Sequence, residues 1–425
     1  MHTVRSSPTR VMTGAVPSAA GSQFPVENLP YGVFSDLVDS TRRIGVAIGD
    51  FVLDAGAAAR TAGASRAAPL APQRAIELSA KNLNPFMAAG PTAWREVRSW
   101  LTDLLGDEEN RAFVAPFLCD VTAVTLHLPF EVADYVDFYS SEHHATNVGR
   151  ILRPDADPLS PNWKHLPIGY HGRSGTVVVS GTPIRRPWGQ HKVPTDPAPT
   201  FAPSGRLDVE VEVGFVVGVG TELGQSVSVS AFPDHVFGAC LLNDWSARDI
   251  QAFEYVPLGP FLGKSFATSI SPWIVPLAAL ERARCTPPPR DVPLQDYLAD
   301  TEPWGLDLRL ELECNRTILS RPRFATMYWT GAQQLAHMTV NGASLRTGDL
   351  FGSGTVSGPT AGERGSLLEL SWNGREPVLL DDGTQRSFLE DGDVVTMRAM
   401  APGIDDTRIG FGDVTGRIMA ATARS

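Results

Sequence analysis

Three carboxylates alternate along one predicted strand, residues 207–218, with the sequence LDVEVEVGFVVG. Side chains on a strand point to opposite faces in turn, so Asp208, Glu210 and Glu212 share one face and the apolar odd positions face a core. A solvated outer face is the commoner meaning of such a pattern, but the small and apolar residues at 214–218 suit a partly covered surface better. Glu210 and Glu212 would then stand roughly 7 Å apart. A shared hard cation would remove their repulsion.

A second group of polar residues follows the apolar run at 236–242. Asp244 would stand at the end of that strand. Ser246 and Asp249 have the spacing of a capping box, which predicts that a short helix begins here. This arrangement would place a carboxylate beside a helix rich in polar side chains.

On that helix Arg248, Gln251 and Tyr255 are spaced i, i+3 and i+7, so they lie on one face. A guanidinium, an amide and a phenol beside a carboxylate suit an oxygen-rich anionic substrate, although an ordinary exposed polar face is commoner for any such triplet. Pro and Gly residues at 257–263 then break regular structure, which predicts that Lys264 lies in a loop.

Two adjacent histidines, His143 and His144, fall within the polar segment 137–150. They point apart on most backbones, so at most one is expected to act, the other being exposed or structural. A histidine is the usual general base, and it needs an orienting carboxylate. Glu369 stands alone in an apolar run, where a carboxylate is usually paired or functional because burying it bare is costly. Gly354 lets the backbone approach a ligand closely.

The elements that position these residues are mostly β. Apolar runs after residue 137 are short, β-branched and bounded by Gly and Pro, as at 176–179, 308–312 and 394–397. Before them, residues 43–54 predict a hairpin that turns at Gly49-Asp50.

The N-terminal part is expected to be smaller and α+β. Apolar residues at 94–105 recur with helical spacing and predict a helix that ends at Gly106. A length of 425 residues exceeds one typical domain. The predicted organisation is a flexible tail at 1–22, a small domain at 23–125 and a larger catalytic β domain at 126–425.

Composition excludes several function classes. The net charge of −11, with no Lys/Arg run, argues against a nucleic-acid partner. No stretch approaches about 18 uninterrupted apolar residues, so neither a transmembrane helix nor a membrane partner is expected. The 4 cysteines are far apart and form no CxxC pair, which predicts neither a zinc site nor a disulfide framework and fits a reducing cytoplasm.

Taken together, these segments resemble the fumarylacetoacetate hydrolase family. The similarity extends from about residue 24 to 416 and is densest at 137–149, 162–186, 243–266 and 354–372. The resemblance implies an N-terminal SH3-like barrel domain, a C-terminal mixed β-sandwich roll and a homodimer. It also implies hydrolysis of the carbon–carbon bond of fumarylacetoacetate to fumarate and acetoacetate, in tyrosine and phenylalanine catabolism.

The resemblance also assigns roles to individual residues. The Ca²⁺ or Mg²⁺ ligands would be Asp137, Glu210, Glu212 and Asp244, with Lys264 and Thr268 near a second, more peripheral magnesium position. The catalytic base would be His144, oriented by Glu369, and the groups that stabilise developing negative charge would be Arg248, Gln251 and Lys264. The substrate-binding positions would be Tyr139, Arg153, Tyr170, Gln251, Tyr255, Gly354 and Thr355.

Two other functions compete with this hypothesis. Another enzyme of the superfamily, an acylpyruvate hydrolase or an oxo-diacid decarboxylase, would use the same metal carboxylates. The N-terminal domain and the set of Tyr139, Arg153 and Tyr255 favour fumarylacetoacetate instead. A non-catalytic calcium-binding β protein would keep the carboxylates but would need no His144–Glu369 pair.

Overall fold

The computed structural model describes residues 14–62, 70–193, 195–300 and 302–423. Its N-terminal part contains a five-stranded sheet. The strands are β1 (Tyr31–Asp36), β2 (Arg43–Ile48), β3 (Phe51–Asp54), β4 (Leu118–Asp120) and β5 (Val124–His127). They lie in the order β4-β3-β2-β1-β5, and every neighbouring pair is antiparallel. The predicted hairpin is confirmed as β2–β3, with Ile48 paired to Phe51 and Gly49 at a φ of 58°.

Helices cover this sheet. They are α1 (Ala55–Ala62), α2 (Pro72–Leu78), α3 (Asn84–Ala88), α4 (Gly90–Gly106) and α5 (Arg111–Val114). The predicted helix is α4, which ends at Gly106 as expected. Its residues Val97, Leu101 and Leu104 are fully buried, because the i, i+4, i+7 spacing places them on the face that meets the core. None of the helices that the structure describes is both long and apolar enough to cross a membrane.

The segment 14–22 packs against this region. Ala15, Val16 and Ala19 are at most 4% exposed, and the Ala15 N–H donates to the carbonyl of Leu105 at 2.9 Å. The prediction of a flexible tail is therefore wrong for residues 14–22, since small apolar side chains between the prolines and glycines fill the core beside α4. The first 13 residues lie outside the described part of the chain.

Two larger sheets form the C-terminal part. Their strands, with four short two-stranded pairs, are β6 (Tyr135–Phe138), β7 (Gly169–His171), β8 (Val177–Val179), β9 (Ile184–Arg185), β10 (Trp188–His191), β11 (Thr200–Pro203), β12 (Leu207–Asp208), β13 (Val211–Val217), β14 (Val236–Asp244), β15 (Ser246–Ala247), β16 (Thr268–Ile270), β17 (Val275–Pro276), β18 (Arg284–Cys285), β19 (Gly305–Leu306), β20 (Arg309–Cys314), β21 (Thr317–Ser320), β22 (Leu350–Gly352), β23 (Val378–Leu379), β24 (Gln385–Arg386), β25 (Val394–Pro402), β26 (Arg408–Gly410) and β27 (Val414–Met419). The helices are α6 (Glu142–Leu152), α7 (Phe232–His235), α8 (Arg248–Glu254), α9 (Leu262–Ser265), α10 (Gly331–Thr339) and α11 (Leu367–Leu370).

The first large sheet has the order β7-β6-β22-β13-β14-β16-β8, with β17 paired to β14. The second has the order β21-β20-β25-β27-β9, with β26 paired to β25. The chain is therefore mostly β, as the sequence predicts.

Both faces of the central strand β13 are covered. Its odd residues, including Val213 and Phe215, lie in a core that also contains Met397 of β25. Its even residue Val216 lies in another core, shared with Phe86 and Leu101 of the N-terminal part. The face that carries the carboxylates is therefore closed off from water, and the outer-face interpretation does not apply.

Candidate active site and metal centre

Strand order brings four carboxylates together at one end of the first sheet. Asp137 lies on β6 and Glu212 on β13, and β22 runs between these two strands. Glu210 directly precedes β13, and Asp244 is the last residue of β14, which pairs with β13. One ligand oxygen from each residue lies within 4.8 Å of the others, and all four side chains are buried. Oxygens at such distances fit around a single cation, since calcium–oxygen distances are about 2.3–2.6 Å.

The cluster has unpartnered carboxylate oxygens and open space between them, as a cation site requires. Asp137 Oδ1 and Glu212 Oε1 are buried without a hydrogen-bond partner among the described residues. Burial raises the pKa of both carboxyl groups, and the neighbouring negative charges raise it further. A Cβ atom at Gly352 would lie 2.6 Å from Asp137 Oδ1 and 2.8 Å from Glu212 Oε2, so the glycine keeps the space between them open. Unpaired buried carboxylate oxygens are costly, and a divalent cation would satisfy them.

Lys264 enters the cluster from helix α9, so the prediction that it lies in a loop is wrong. Its ammonium donates to Glu210, and to Asp244 Oδ2 at 2.8 Å. Burial lowers the pKa of Lys264, but the charges of Asp244 and Glu210 outweigh burial and hold it above its usual value. A charged ammonium has no lone pair, so the side chain acts here as a charge partner and not as a metal ligand.

Two hydroxyl groups complete the surroundings of Asp244. The Tyr170 hydroxyl donates to Asp244 Oδ2 at 2.8 Å, and the Thr268 hydroxyl donates to Asp244 Oδ1 at 3.2 Å. Burial and the charge of Asp244 raise the pKa of Tyr170. Tyr170 therefore keeps its proton, and the two hydroxyl groups together orient this carboxylate.

Arg248 connects the cluster to helix α8. Its Nη2 donates to Glu210 Oε1 at 2.6 Å, its Nε to Asp208 Oδ2 at 2.8 Å, and its Nη1 to Gln251 Oε1 at 3.1 Å. Burial raises the pKa of Glu210, but Arg248 and Lys264 outweigh burial and hold it below its usual value. Glu210 is thus ionised, and its negative charge is shared between Arg248 and Lys264.

The predicted capping box is wrong. Ala247 is the N-cap of α8, and no side chain caps the helix. Ser246 is extended, in a strand that pairs with β12, and its hydroxyl donates to the Asp244 carbonyl at 3.1 Å. Asp249 accepts from the Ser204 hydroxyl instead. Pairing between strands has overridden the local preference of Ser246 for a helix start.

His144 and Glu369 form a buried pair although they are 225 residues apart. His144 Nδ1 lies 2.6 Å from Glu369 Oε2, and Nε2 lies 3.9 Å from Glu210 Oε1. Ser141 is the N-cap of α6 and accepts from the backbone N–H of His144, which fixes the histidine in the first turn. His143 is only partly buried, so the two histidines do point apart.

Glu369 is held as an anion. Besides His144, the donors to its carboxylate are Asn147 Nδ2, Ser357 Oγ and Ser366 Oγ, each at 2.9 Å. Burial raises its pKa, but the nearby His144 and these hydrogen bonds outweigh burial and lower it. An ionised carboxylate only accepts hydrogen bonds, so Nδ1 of His144 is the donor to Glu369, and Nε2 is the ring nitrogen directed at the acidic cluster.

The other predicted substrate positions fall into two groups. Tyr139 lies edge-on to the His144 ring, with centroids 5.3 Å apart, and Thr355 is buried with no partner for its hydroxyl among the described residues. Arg153 is exposed and donates to the Pro158 carbonyl at 3.0 Å. Tyr255 is 37% exposed at the end of α8. The structure thus places two of these side chains within the site and two at the surface.

The Cβ direction of Gly354 faces neighbouring backbone and not the open space for a ligand that the sequence had suggested. Its φ is +78°, its N–H donates to Glu212 Oε2 at 3.0 Å, and a Cβ there would overlap the Phe138 carbonyl. The glycine is therefore required for close packing between the segment after β22 and the end of β6, which carries Asp137.

We expect Gly354→Ala to lower the free energy of unfolding more than Gly383→Ala does. Both glycines have positive φ, and a left-handed backbone costs about 1–2 kcal/mol for a residue with a Cβ. Only Gly354 adds a steric clash, worth about 1–3 kcal/mol more, because a Cβ at Gly383 meets no atom within 4 Å. Denaturant unfolding measures both variants, and equal losses would contradict the packing role of Gly354.

Several residues that shape the site were not singled out by sequence reasoning. They are Gly352 between the carboxylates and Asn147, Ser357 and Ser366 around Glu369, and the pairing of Asp208 with Arg248 was not anticipated either. All lie in or beside the segments 137–150, 207–218 and 354–372 named above. Small polar residues are common in loops, so their types alone did not distinguish them.

Comparisons with known proteins agree with this geometry. The family model described as fumarylacetoacetate (FAA) hydrolase C-terminal matches residues 134–419, and that described as fumarylacetoacetase N-terminal matches residues 27–129. The chain is 45% identical over 422 residues to a fumarylacetoacetase from Homo sapiens, covering 96% of this chain and 98% of the relative. It is 46% identical over 409 residues to one from Arabidopsis thaliana, covering 94% and 96%. A solved fumarylacetoacetate hydrolase from Exiguobacterium antarcticum has the same fold, with a TM-score of 0.54 at 16% identity over 92% of this chain and 99% of the other.

Proposed function

The chain belongs to the fumarylacetoacetate hydrolase family, and on this premise we propose that it hydrolyses fumarylacetoacetate to fumarate and acetoacetate, a step of tyrosine and phenylalanine catabolism. The observation that carries the proposal is the position of His144. Its Nε2 faces the acidic cluster, while its Nδ1 is held by a buried carboxylate. A base directed at a cation-binding cluster suits the attack of water on a polarised carbonyl.

The proposed metal ligands are Asp137, Glu210, Glu212 and Asp244, and the proposed ion is Ca²⁺ or Mg²⁺. The unpaired oxygens in the cluster, the space kept by Gly352 and the all-oxygen donor set support this proposal. When bound, such a cation supplies Lewis acidity that polarises the two keto oxygens of a β-diketone. Lys264 and Thr268 border the site through Asp244, so we propose that they lie near a second magnesium position, Lys264 as a charge partner of Asp244 and not as a ligand.

The protein side chains would act in a defined sequence. Nε2 of His144 takes a proton from water as the water oxygen attacks the carbonyl next to the fumaroyl group, and Glu369 stabilises the imidazolium that forms. Arg248 stabilises the oxyanion, since three of its five N–H groups are engaged by protein partners and others remain to donate.

The carbon–carbon bond then breaks and releases the acetoacetate part as an enolate. Lys264, which contacts the cluster directly, and Gln251, which contacts it through Arg248, would stabilise this negative charge. The carbon of the enolate takes up a proton, which balances the proton that His144 removed from water. The products are fumarate and acetoacetate.

The remaining substrate contacts are proposals from family resemblance. Their assignment is supported by the contacts of Tyr170 with Asp244, of Tyr139 with the His144 ring and of Gln251 with Arg248, and by the unpartnered buried hydroxyl of Thr355. Gly354 contributes its backbone beside Glu212. Arg153 and Tyr255 are exposed, so they would contact a substrate from the surface side of the site.

Three further features are also proposed from resemblance. The SH3-like form of the N-terminal domain is supported by its five-stranded antiparallel sheet, and the sandwich roll by the two large sheets that share a core. A homodimer is supported by the exposed apolar residues Val256, Leu258 and Phe261, since subunit contacts commonly cover such surfaces. The cytoplasm is proposed from cysteine usage, and all four thiols are free.

We expect the purified protein to turn over fumarylacetoacetate with a kcat/KM at least about 100-fold above that for acylpyruvates or oxo-diacids, because buried polar groups reject a substrate that leaves them unpaired. Loss of the β-diketone absorbance measures the reaction. Chelation with EDTA is expected to stop turnover, and added Mg²⁺ or Ca²⁺ to restore it. A preference for an acylpyruvate or an oxo-diacid would favour another enzyme of the superfamily. An absence of turnover, with a melting temperature that falls on chelation, would favour a non-catalytic calcium-binding protein.

A further inference from the structure

Asp208 is a fully buried carboxylate that does not belong to the metal cluster. Its Oδ2 accepts from Arg248 Nε at 2.8 Å and from the backbone N–H of Leu368 at 3.0 Å. Its Oδ1 accepts from the N–H groups of Leu367 at 2.7 Å and Val209 at 2.8 Å. These four donors occupy the acceptor positions of an ionised carboxylate.

The partners of Asp208 belong to two different parts of the site. Arg248 continues from Asp208 to Glu210 of the metal cluster. Leu367 and Leu368 open helix α11, whose next residue is Glu369, the partner of His144. Arg248 lies 40 residues along the chain from Asp208, and the start of α11 lies about 160 residues from it.

We propose that Asp208 is a positioning residue that sets Arg248 and the helix carrying Glu369 relative to each other. The proposal deepens the function proposed above and rests on it. In that reaction the base and the oxyanion donor must meet one carbonyl from fixed directions, and small displacements are costly to rate. A single carboxylate bonded to both parts removes the freedom of each to shift against the other.

A backbone bridge between Glu210 and Ser366 also connects the two parts, but Asp208 contacts the Arg248 guanidinium and the first N–H groups of α11 directly. The side chain of Glu369 is held by Ser357, Ser366 and Asn147, but these bonds do not reach Arg248. Arg248 is held at Nη2 by Glu210, which itself belongs to the metal cluster. The paired contact of Nε with Asp208 and of Nη2 with Glu210 fixes the plane of the guanidinium, and with Asp208 neutralised only one charged contact would remain.

The test is Asp208→Asn, which preserves shape and removes the charge. We expect kcat for fumarylacetoacetate to fall about 10- to 100-fold with KM changed less than about threefold, because Asp208 orients groups that act in the transition state. In an Arg248→Gln background the same substitution is expected to lower kcat by less than about threefold, since residues that act as a unit are not additive.

The matched control is Asp249→Asn, one residue after Arg248 on α8. Asp249 is partly exposed and accepts from Ser204 Oγ at 2.6 Å and the Gly205 N–H at 2.7 Å, so it loses comparable hydrogen bonds outside the site. We expect its kcat to stay within about threefold of wild type. An Asp208→Asn kcat within that range, or an equal loss in the Arg248→Gln background, would overturn the proposal.

Stability is followed in parallel by thermal melting. If Asp208→Asn does not fold, Asp208→Glu takes its place, because it retains the charge but displaces the carboxylate by one methylene group. A kcat within about threefold of wild type for that variant would equally overturn the positioning role. Wild-type turnover in the same assay separates the two hypotheses. An inactive wild type contradicts the proposed function and this inference with it, whereas an active wild type with an unaffected Asp208 variant contradicts the inference alone.

Discussion

Replacing His144 with alanine is expected to lower kcat for fumarylacetoacetate by about 100- to 10,000-fold, the range over which a general base contributes. Its Nε2 faces the acidic cluster while its Nδ1 lies against Glu369, so Nε2 is the nitrogen placed to take a proton from water. Divalent-metal affinity is expected to remain near that of wild type, because His144 is not one of the four clustered carboxylates. Steady-state kinetics and calorimetric metal titration measure the two properties separately.

The neighbouring histidine provides the matched control. His143 precedes His144 on the same helix and is only partly buried. His143→Ala is expected to keep kcat within about threefold of wild type, as a substitution away from a buried network does. Unchanged turnover in His144→Ala, or an equal loss in both variants, would remove the base assignment.

Replacing Asp137 with asparagine is expected to weaken binding of a divalent cation by at least about 100-fold, since removing a ligand exceeds the 10- to 100-fold effect of disturbing a group that only supports one. Turnover at limiting metal should fall with the affinity. Asp137 is suited to this test because its Oδ1 has no hydrogen-bond partner among the described residues, so a cation is the partner that it lacks. Metal titration followed by calorimetry measures the loss.

The same substitution should also change the pH dependence of the melting temperature of the metal-free protein. Burial and the charge of Asp244 raise the pKa of Asp137 in the folded state, so its contribution to stability is complete at acid pH and is lost as pH rises through that pKa. Metal-free wild type should therefore melt at lower temperature as pH rises above about 4. Asp137→Asn should reduce this dependence, and a saturating divalent cation should offset it in wild type. Thermal melting with and without EDTA measures each case.

Asp134→Asn is the control for both properties. Asp134 lies three residues earlier and its side chain is 43% exposed. The substitution is expected to leave metal affinity and the pH dependence of melting unchanged, because a surface carboxylate is already solvated. If Asp134→Asn and Asp137→Asn weaken metal binding equally, the acidic cluster is not the metal site.

Local patterns in the chain were sufficient for much of the architecture. The alternation at 207–218, the hairpin at Gly49 and the helix ending at Gly106 all appear in the structure. Each depends on residues a few positions apart, which set side-chain periodicity and turn geometry without help from the rest of the fold. The types of the acidic and histidine side chains likewise limited the chemistry to a cation with a general base.

Errors in the sequence predictions occurred where distant contacts outweigh local preference. Ser246 has the spacing of a helix cap but pairs as a strand with β12, and Lys264 lies on a short helix inside the acidic cluster. Residues 14–22 have the composition of a tail but pack against α4. In each case burial against another element supplies more stabilisation than the local propensity opposes.

The amino-acid sequence alone was enough to identify the candidate reacting groups, because charge, proton affinity and strand alternation are set by each residue and its near neighbours. Whether these groups lie close together in space depends on the order of the strands in the sheets and on which elements cover them. Asp208 reaches Leu367 across 159 positions, and Gly352 opens a space between Asp137 and Glu212 that no short segment describes. Such contacts arise when separate strands and helices pack around shared cores, and periodicity along one segment carries no information about which other segment will lie beside it.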